Sequence, residues 1–242
     1  MQNTHYDFII VGGGAAASAA AIKAHDLKKK TALINAGLPI GGTCVNVGCL
    51  PSKKLLWAAE VMHQSKNHGI PGIESGVRSF DFKAVIQDEI KLVEFMRTNK
   101  YLKVLEAMPL LDLIEGKVRF VSPNEVEVNG KVLSAEKFLI ATGSTATVPP
   151  IEGITETGYI THIEALQLAQ QPKEMVVVGA GPVGLEFGQM YARFGTKITI
   201  LQGGNNILPY AEQELTLQLK SVLEKEGITI LTNARGEKAR NE

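Results

Sequence analysis

An α/β protein in which two β–glycine-loop–α–β units follow one another is what the sequence predicts, on three observations. Apolar stretches at 6–11 and 175–178 each run straight into a glycine-rich loop, Gly12-Gly13-Gly14 and Gly179-Ala180-Gly181-Pro182-Val183-Gly184. Behind each loop comes a helix-length segment and then a second apolar strand, at 31–34 and 197–201. Between the two units, Asn129-Gly130 sits between Val126-Glu127-Val128 and Lys131-Val132-Leu133, a strong hairpin signal because both turn residues tolerate positive φ.

The elements follow in order. The first strand, at 6–11, leads through its glycines into a small-residue helix over about 15–25, and the strand at 31–34 closes the unit. A Gly- and Cys-rich segment covers 41–52. From Lys53 onward, Leu55, Leu56, Ala59 and Met62 give the apolar face of a helix. After a polar loop at 67–79 the spacing of Val85, Ile86, Ile90, Val93, Met96, Leu102 and Leu105 predicts one long helix over 80–107, stopped by Pro109. Short strands then fill 111–140, ending at Ala141-Thr142-Gly143, and Pro149-Pro150 marks a linker. The second unit has its strand at 175–178, a helix to Phe194, a strand at 197–201, a helix at 212–226 and a strand at 228–231, a complete βαβαβ half. A polar tail occupies 233–242. The expected domains are therefore 1–150, with a small antiparallel meander, and 151–242.

Composition narrows the class. The 242 residues are 45% hydrophobic, as in ordinary globular proteins, and 25 basic residues balance 25 acidic ones. That balance gives no reason to expect nucleic acid or an anionic membrane as partner. Only 6% of residues are aromatic, so there is no base-stacking platform. No secretory signal opens the chain, and the longest apolar run, 15–22, is too short to span a bilayer, so the expected location is the cytoplasm.

The first loop spells G-x-G-x-x-A through Gly12, Gly14 and Ala17. The first glycine makes the turn, the second lets backbone approach a pyrophosphate, and the small third residue lets helix and strand pack closely. Phosphates would then lie at the helix N-terminus. A ribose-binding acidic residue belongs at the end of the next strand; Asn35 stands there, able to accept a hydrogen bond but uncharged.

The chain has two cysteines, Cys44 and Cys49. Along a regular helix five residues rise roughly 7.5 Å, beyond the roughly 4.4–6.8 Å that disulfide Cα atoms prefer. A disulfide therefore needs irregular backbone, which Gly48 would permit. Gly41 and Gly42 leave room for a flat cofactor. A zinc half-site and two inert buried thiols are the other readings of the pair, although the five histidines show no ligand-like spacing.

The run Gly41-Gly42-Thr43-Cys44-Val45-Asn46-Val47-Gly48-Cys49-Leu50-Pro51-Ser52-Lys53 strongly resembles the redox motif of the FAD-dependent pyridine nucleotide-disulfide oxidoreductases. The first glycine loop, the Ala141-Thr142-Gly143 turn, and the second loop followed by Leu185-Glu186 agree with it, so the resemblance covers the whole chain. It implies two Rossmann-like domains, binding FAD and then NADPH or NADH. It implies that Cys49 is the thiol beside the flavin and Cys44 the one facing substrate, with Lys53 near the ring and paired to Glu186. A surface bridge is the alternative reading of that pair. The resemblance places Gly12, Gly14, Ala17, Asn35, Gly41, Gly42, Thr43, Lys53, Gly116, Ala141, Thr142 and Gly143 against FAD. It places Gly179, Gly181, Gly184 and Gln202 against NAD(P)H. Gln202 is neutral where Glu favours NAD and Arg favours NADP, and Pro182 replaces a tyrosine gate found in relatives.

Within the family, Gly12-Gly13-Gly14-Ala15-Ala16 and Val45-Asn46-Val47 look most like mercuric reductase, with Cys44 and Cys49 as transient Hg²⁺ ligands and no structural metal. A dihydrolipoamide dehydrogenase-like disulfide reductase and a catalytically inactive nucleotide-binding fragment are the alternatives. The resemblance is to the N-terminal half of such enzymes. The segment that completes the flavin domain, and the dimerisation domain through which relatives form homodimers, are expected to be missing, so FAD is expected to be held weakly.

Overall fold

The structure, a computed structural model, describes residues 4–241. It divides into two compact units, one formed by 1–51 and 90–146, the other by 52–89 and 147–242.

The first unit is built on a six-stranded sheet of order β3-β2-β1-β6-β5-β4. Its parallel part comprises β1 (Thr4–Val11), β2 (Thr31–Asn35), β3 (Leu111–Glu115) and β6 (Lys131–Ile140). Strands β4 (Arg119–Ser122) and β5 (Glu125–Val128) complete an antiparallel meander with β6. The β5–β6 hairpin turns at Asn129 and Gly130, with φ of 50° and 73°, as two residues that tolerate the left-handed region allow. Helix α1 (Ala15–Asp26) lies on the sheet through Ala17 and Ala21, which pack with Ile10, Leu33, Leu105 and Met108. Small side chains on that face let the helix sit close to the strands. Another buried cluster is formed by Tyr6, Ile9, Ala32, Ile34, Val126, Val128, Leu133 and Ala135.

The second unit carries the parallel sheet β7-β8-β9, formed by β7 (Glu174–Val178), β8 (Lys197–Gln202) and β9 (Thr229–Thr232). Helices α8 (Pro182–Phe194) and α9 (Gln213–Lys225) make its crossovers. Gly12 and Gly179 thus follow strands of two separate sheets, as the two glycine loops predict. Two one-turn helices, α6 (Ile154–Thr157) and α7 (His162–Ala165), precede β7, and the second is closed by a Thr161–Glu164 capping box.

Two expectations are corrected. The helix read from Lys53 onward begins at Cys49: α2 (Gly42–Asn46) and α3 (Cys49–Asn67) are separated only by Val47-Gly48, and Pro51 is tolerated in the first turn of α3. The single helix expected over 80–107 is α4 (Phe82–Met96), a π-helical turn at Arg97–Leu102 and α5 (Lys103–Glu106). Apolar spacing alone does not distinguish these, because a π-turn shifts the register within one continuous rod.

Residues 52–89 belong to the same compact unit as 147–242. Aromatic packing accounts for this. The ring of Phe80 stacks on Phe194 at 5.3 Å between centroids, and Phe82 meets Phe194 at 5.9 Å and Tyr191 at 6.1 Å.

Candidate redox and nucleotide sites

In the first unit, β1 delivers the chain into Gly12-Gly13-Gly14. Gly12 has φ of +127°, and a Cβ there would lie 2.1 Å from the carbonyl oxygen of Ala141, so only glycine fits. Backbone bonds fix the loop: Gly12 N–H donates to Ile34 (2.8 Å) and Ala141 N–H to Val11 (2.8 Å). Gly14 caps α1 without any side-chain hydrogen bond. The first-turn N–H groups are therefore unclaimed by a cap, as an anionic ligand requires. A Cβ on Gly14 would meet only the Cα of Gly42, at 3.8 Å. An open, side-chain-free cradle ending in an uncapped helix fits the pyrophosphate of a dinucleotide.

Gly41 and Gly42 lie against this loop. Gly41 N–H donates to the carbonyl of Gly13 (2.8 Å), and a Cβ on Gly42 would lie 2.6 Å from the Cα of Gly14. Asn35, expected to reach a ribose, donates through Nδ2 to the carbonyl of Leu38 (2.9 Å), while its Oδ1 stands against Gly13. It shapes the loop it faces. Gly116 follows β3 with φ of +156°, and its N–H donates to the Asn35 carbonyl (2.8 Å). A side chain at 116 would meet Asn129 Oδ1 and Val128 Cγ2 at 2.7 Å, so the packed hairpin accounts for this glycine. Ala17 is fully buried on the sheet-facing side of α1, Thr43 is exposed on α2, and Ala141, Thr142 and Gly143 leave the end of β6, Gly143 with φ of +70°.

Cys44 lies on α2, half-buried, and Cys49 opens α3, exposed. Both are in the thiol form, and the two side chains hydrogen-bond to each other. The Cys44 thiol is pushed above its ordinary value, first by its hydrogen bond with the Cys49 side chain, then by burial and by the negative charge Cys49 carries when ionised; the Cys49 backbone N–H opposes the shift. The irregular backbone expected between the cysteines is present, with Val47 at φ −144°, ψ 18°. Gly48 is not needed there for a left-handed conformation. It is needed for space, since a Cβ would lie 2.9 Å from the carbonyl oxygen of Thr43.

Asn46, between the cysteines, is the residue the motif reading did not weigh. Buried, it donates through Nδ2 to the carbonyls of Pro39 (3.0 Å), Ile40 (3.2 Å) and Gly42 (2.9 Å). Its Oδ1 accepts from Arg97 Nη1 (3.2 Å), the first residue of the π-turn. A buried polar side chain with its capacity filled this way fixes the loop that presents Cys44. An asparagine between two cysteines was the available signal.

In the second unit, Gly179 has φ of +105° and its N–H donates to Leu201 (2.8 Å). Gly181 caps α8 without a side-chain bond, and Pro182 occupies the first turn. Nothing would obstruct a Cβ at either Gly179 or Gly181, so the loop is open to a ligand. Gly184 is closed: a Cβ would lie 2.1 Å from the Gly179 carbonyl oxygen. One turn later Gly188 lets α8 approach β8, with Ile200 Cδ1 at 3.0 Å from the position of its missing Cβ. Gln202 accepts through Oε1 from the Ala180 N–H (3.0 Å), which ties the end of β8 to the loop. These residues fit a second dinucleotide.

Lys53 and Glu186 do meet, Nζ to Oε1 at 2.5 Å, but their side chains are 60% and 42% exposed. A pair so placed contributes little to stability. A buried charge cluster lies elsewhere in the same unit. Arg193 donates to Glu226 from Nε (2.8 Å) and Nη2 (2.9 Å), and also to Glu60; Gln189 adds a bond to Glu226 (3.0 Å). Burial would raise the Glu226 carboxyl, but Arg193 and Gln189 outweigh it and hold it below the usual range.

The sequence pattern of the pyridine nucleotide-disulphide oxidoreductases matches residues 6–242. The chain belongs to that family. Members of that family are FAD-dependent and use NAD(P)H. It is 38% identical over 236 residues to a mercuric reductase of Bacillus cereus, covering 98% of this chain and 37% of that protein. It is 36% identical to a dihydrolipoyl dehydrogenase of Acholeplasma laidlawii, covering 98% of this chain and 71% of that one. Among solved structures, the Cu(II) complex of a HOCl-induced flavoprotein disulfide reductase from Escherichia coli superposes with a TM-score of 0.87 at 30% identity, covering all of this chain and 52% of the other. The chain thus spans well under two thirds of the length of that mercuric reductase. Among the described residues no helix is long and apolar enough to cross a membrane, and no group of three or more His, Cys, Asp or Glu is placed to hold a metal.

Proposed function

We propose that the chain passes electrons from NAD(P)H through FAD to a Cys44–Cys49 disulfide and on to a thiophilic substrate, with Hg²⁺ as the substrate. The observation that carries this is the contact between the two thiols immediately after the Gly41-Gly42 segment, which itself lies on the Gly12–Gly14 loop. FAD, when bound, supplies the step between a two-electron hydride donor and the sulfurs.

The chain's own residues do the rest. Gly12 and Gly14 with the uncapped α1 hold one pyrophosphate; Gly179 and Gly181 with the uncapped α8 hold the other. Asn46 and Arg97 hold the loop that presents Cys44. Two electrons and two protons convert the Cys44–Cys49 disulfide to two thiols. Cys44, the thiol with the raised pKa, keeps its proton longer than an ordinary cysteine. Soft thiolates match a soft cation such as Hg²⁺, which two electrons take to the metal. Likeness to mercuric reductases supports that substrate, and likeness to a flavoprotein disulfide reductase solved as a Cu(II) complex supports thiophilic metals as a class.

Likeness to a dihydrolipoyl dehydrogenase of which the chain covers 71% favours a second reading, in which a small disulfide or dithiol is the substrate. Anaerobic NADPH and NADH oxidation by the FAD-supplied protein, with Hg²⁺ or lipoamide as acceptor, separates the two. Hg²⁺-dependent oxidation that disappears in Cys44→Ser is expected. Turnover with lipoamide and none with Hg²⁺ would overturn the assignment of Hg²⁺.

A further inference from the structure

The adenosine ribose of a dinucleotide bound to a βαβ unit falls at the end of the second strand, here the exit of β8. The segment that leaves β8, residues 202–211, contains no Asp or Glu to take the ribose hydroxyls. Gln202 is already engaged, its Oε1 accepting from Ala180 N–H and its Nε2 facing Gly204, 3.3 Å from where a Cβ on that residue would stand. What stands there instead comes from the segment that follows β9. Asn233, at φ 52°, turns the chain back; its N–H donates to the Gly204 carbonyl (2.9 Å) and the Ala234 N–H to the Gln202 carbonyl (3.0 Å). The next residue is Arg235. Its side chain runs across Gly203, where a Cβ would lie 3.1 Å from Nε and 3.2 Å from Cγ. Gly203 leaves the room that the arginine occupies. Arg235 is exposed and forms no ion pair among the described residues, whereas Lys238 nearby in the chain is paired with Glu152 (2.6 Å).

We infer that Arg235 is the specificity-determining residue for the pyridine nucleotide: its guanidinium pairs with the 2′-phosphate of NADPH and selects it over NADH. A planar fork with several donors suits a phosphate monoester, and a guanidinium that carries no carboxylate need not be released first. The inference rests on the 179–184 loop being the NAD(P)H site.

Calorimetric titration of the full 242-residue chain with adenosine 2′,5′-bisphosphate and with 5′-AMP tests it without turnover. The bisphosphate is expected to bind ~10–100-fold more tightly, the range of one hydrogen bond to a charged group. Raising salt should shrink that margin, because the arginine is exposed. In R235Q the margin should vanish while 5′-AMP affinity stays the same, and R235K should keep part of it. Equal affinities in the unmodified chain, or a margin that persists in R235Q, would overturn the role of Arg235 and leave the nucleotide site standing. Failure of both ligands to bind would remove the site itself and the inference with it.

Discussion

Glu89 gives the structure a built-in pH dependence. It lies on α4, is 2% exposed, and its Oε2 has no hydrogen-bond partner among the described residues. Burial alone pushes its carboxyl from 4.5 up to about 7. Folding then requires that it stay protonated or lose solvation as an anion. Below pH 4.5 the carboxyl is neutral in both folded and unfolded chains and costs nothing. As pH rises from 4.5 towards 7 the unfolded chain releases this proton and the folded chain does not, so stability falls; above 7 the loss is complete. At 1.36 kcal/mol per unit, the rise from 4.5 to about 7 corresponds to about 3 kcal/mol. Glu89→Gln keeps the volume and removes the charge. Urea unfolding of both proteins from pH 4.5 to 8 should give nearly equal midpoints at the acid end and a growing advantage for the variant, levelling near pH 7. A constant difference across that range, or one that grows towards acid, would refute the reasoning.

Other substitutions probe other parts of the molecule. Arg193→Met leaves Glu226 and Glu60 without their cation in a cluster where Arg193 and Glu226 are 13% and 11% exposed, so it should cost about 3–5 kcal/mol in denaturant unfolding; restoring stability by adding Glu226→Gln would confirm the stranded carboxylate as the cause. Gly184→Ala drives a Cβ to 2.1 Å from the Gly179 carbonyl oxygen, so it should cost ~1–3 kcal/mol and weaken 5′-AMP binding, read by thermal melting and calorimetry. Lys53→Ala, which breaks an exposed pair, should change stability by less than about 1 kcal/mol, so any larger fall in NAD(P)H-dependent disulfide reduction would belong to chemistry rather than to folding.

What could be read in the sequence was whatever is enforced locally. The glycines at 12, 179 and 184 answer to backbone sterics within a few residues of a strand end or across one strand pair, and Asn129-Gly130 specifies its own turn. The cysteine segment was legible because its residue types are tied to one chemistry at short range. What escaped depends on partners distant in sequence. Asn46 looks like any polar residue until Arg97 and three carbonyls converge on it. Arg193 reaches Glu60, 133 residues away. Gly48 reads in the sequence as a conformational residue, but what requires glycine there is the Thr43 carbonyl. The placing of 52–89 with the second unit follows from Phe80 and Phe82 packing on α8, which no periodicity encodes.

In the proposed function Cys44 and Cys49 act as one redox couple fed by NAD(P)H. The most direct measurement counts thiols by anaerobic alkylation and intact mass: after mild oxidation, after NADPH alone, and after NADPH with FAD. Oxidation should remove both thiols together with loss of two hydrogens, and only NADPH with FAD should return both. Two alkylatable thiols surviving oxidation, or a disulfide that NADPH with FAD leaves intact, would contradict it.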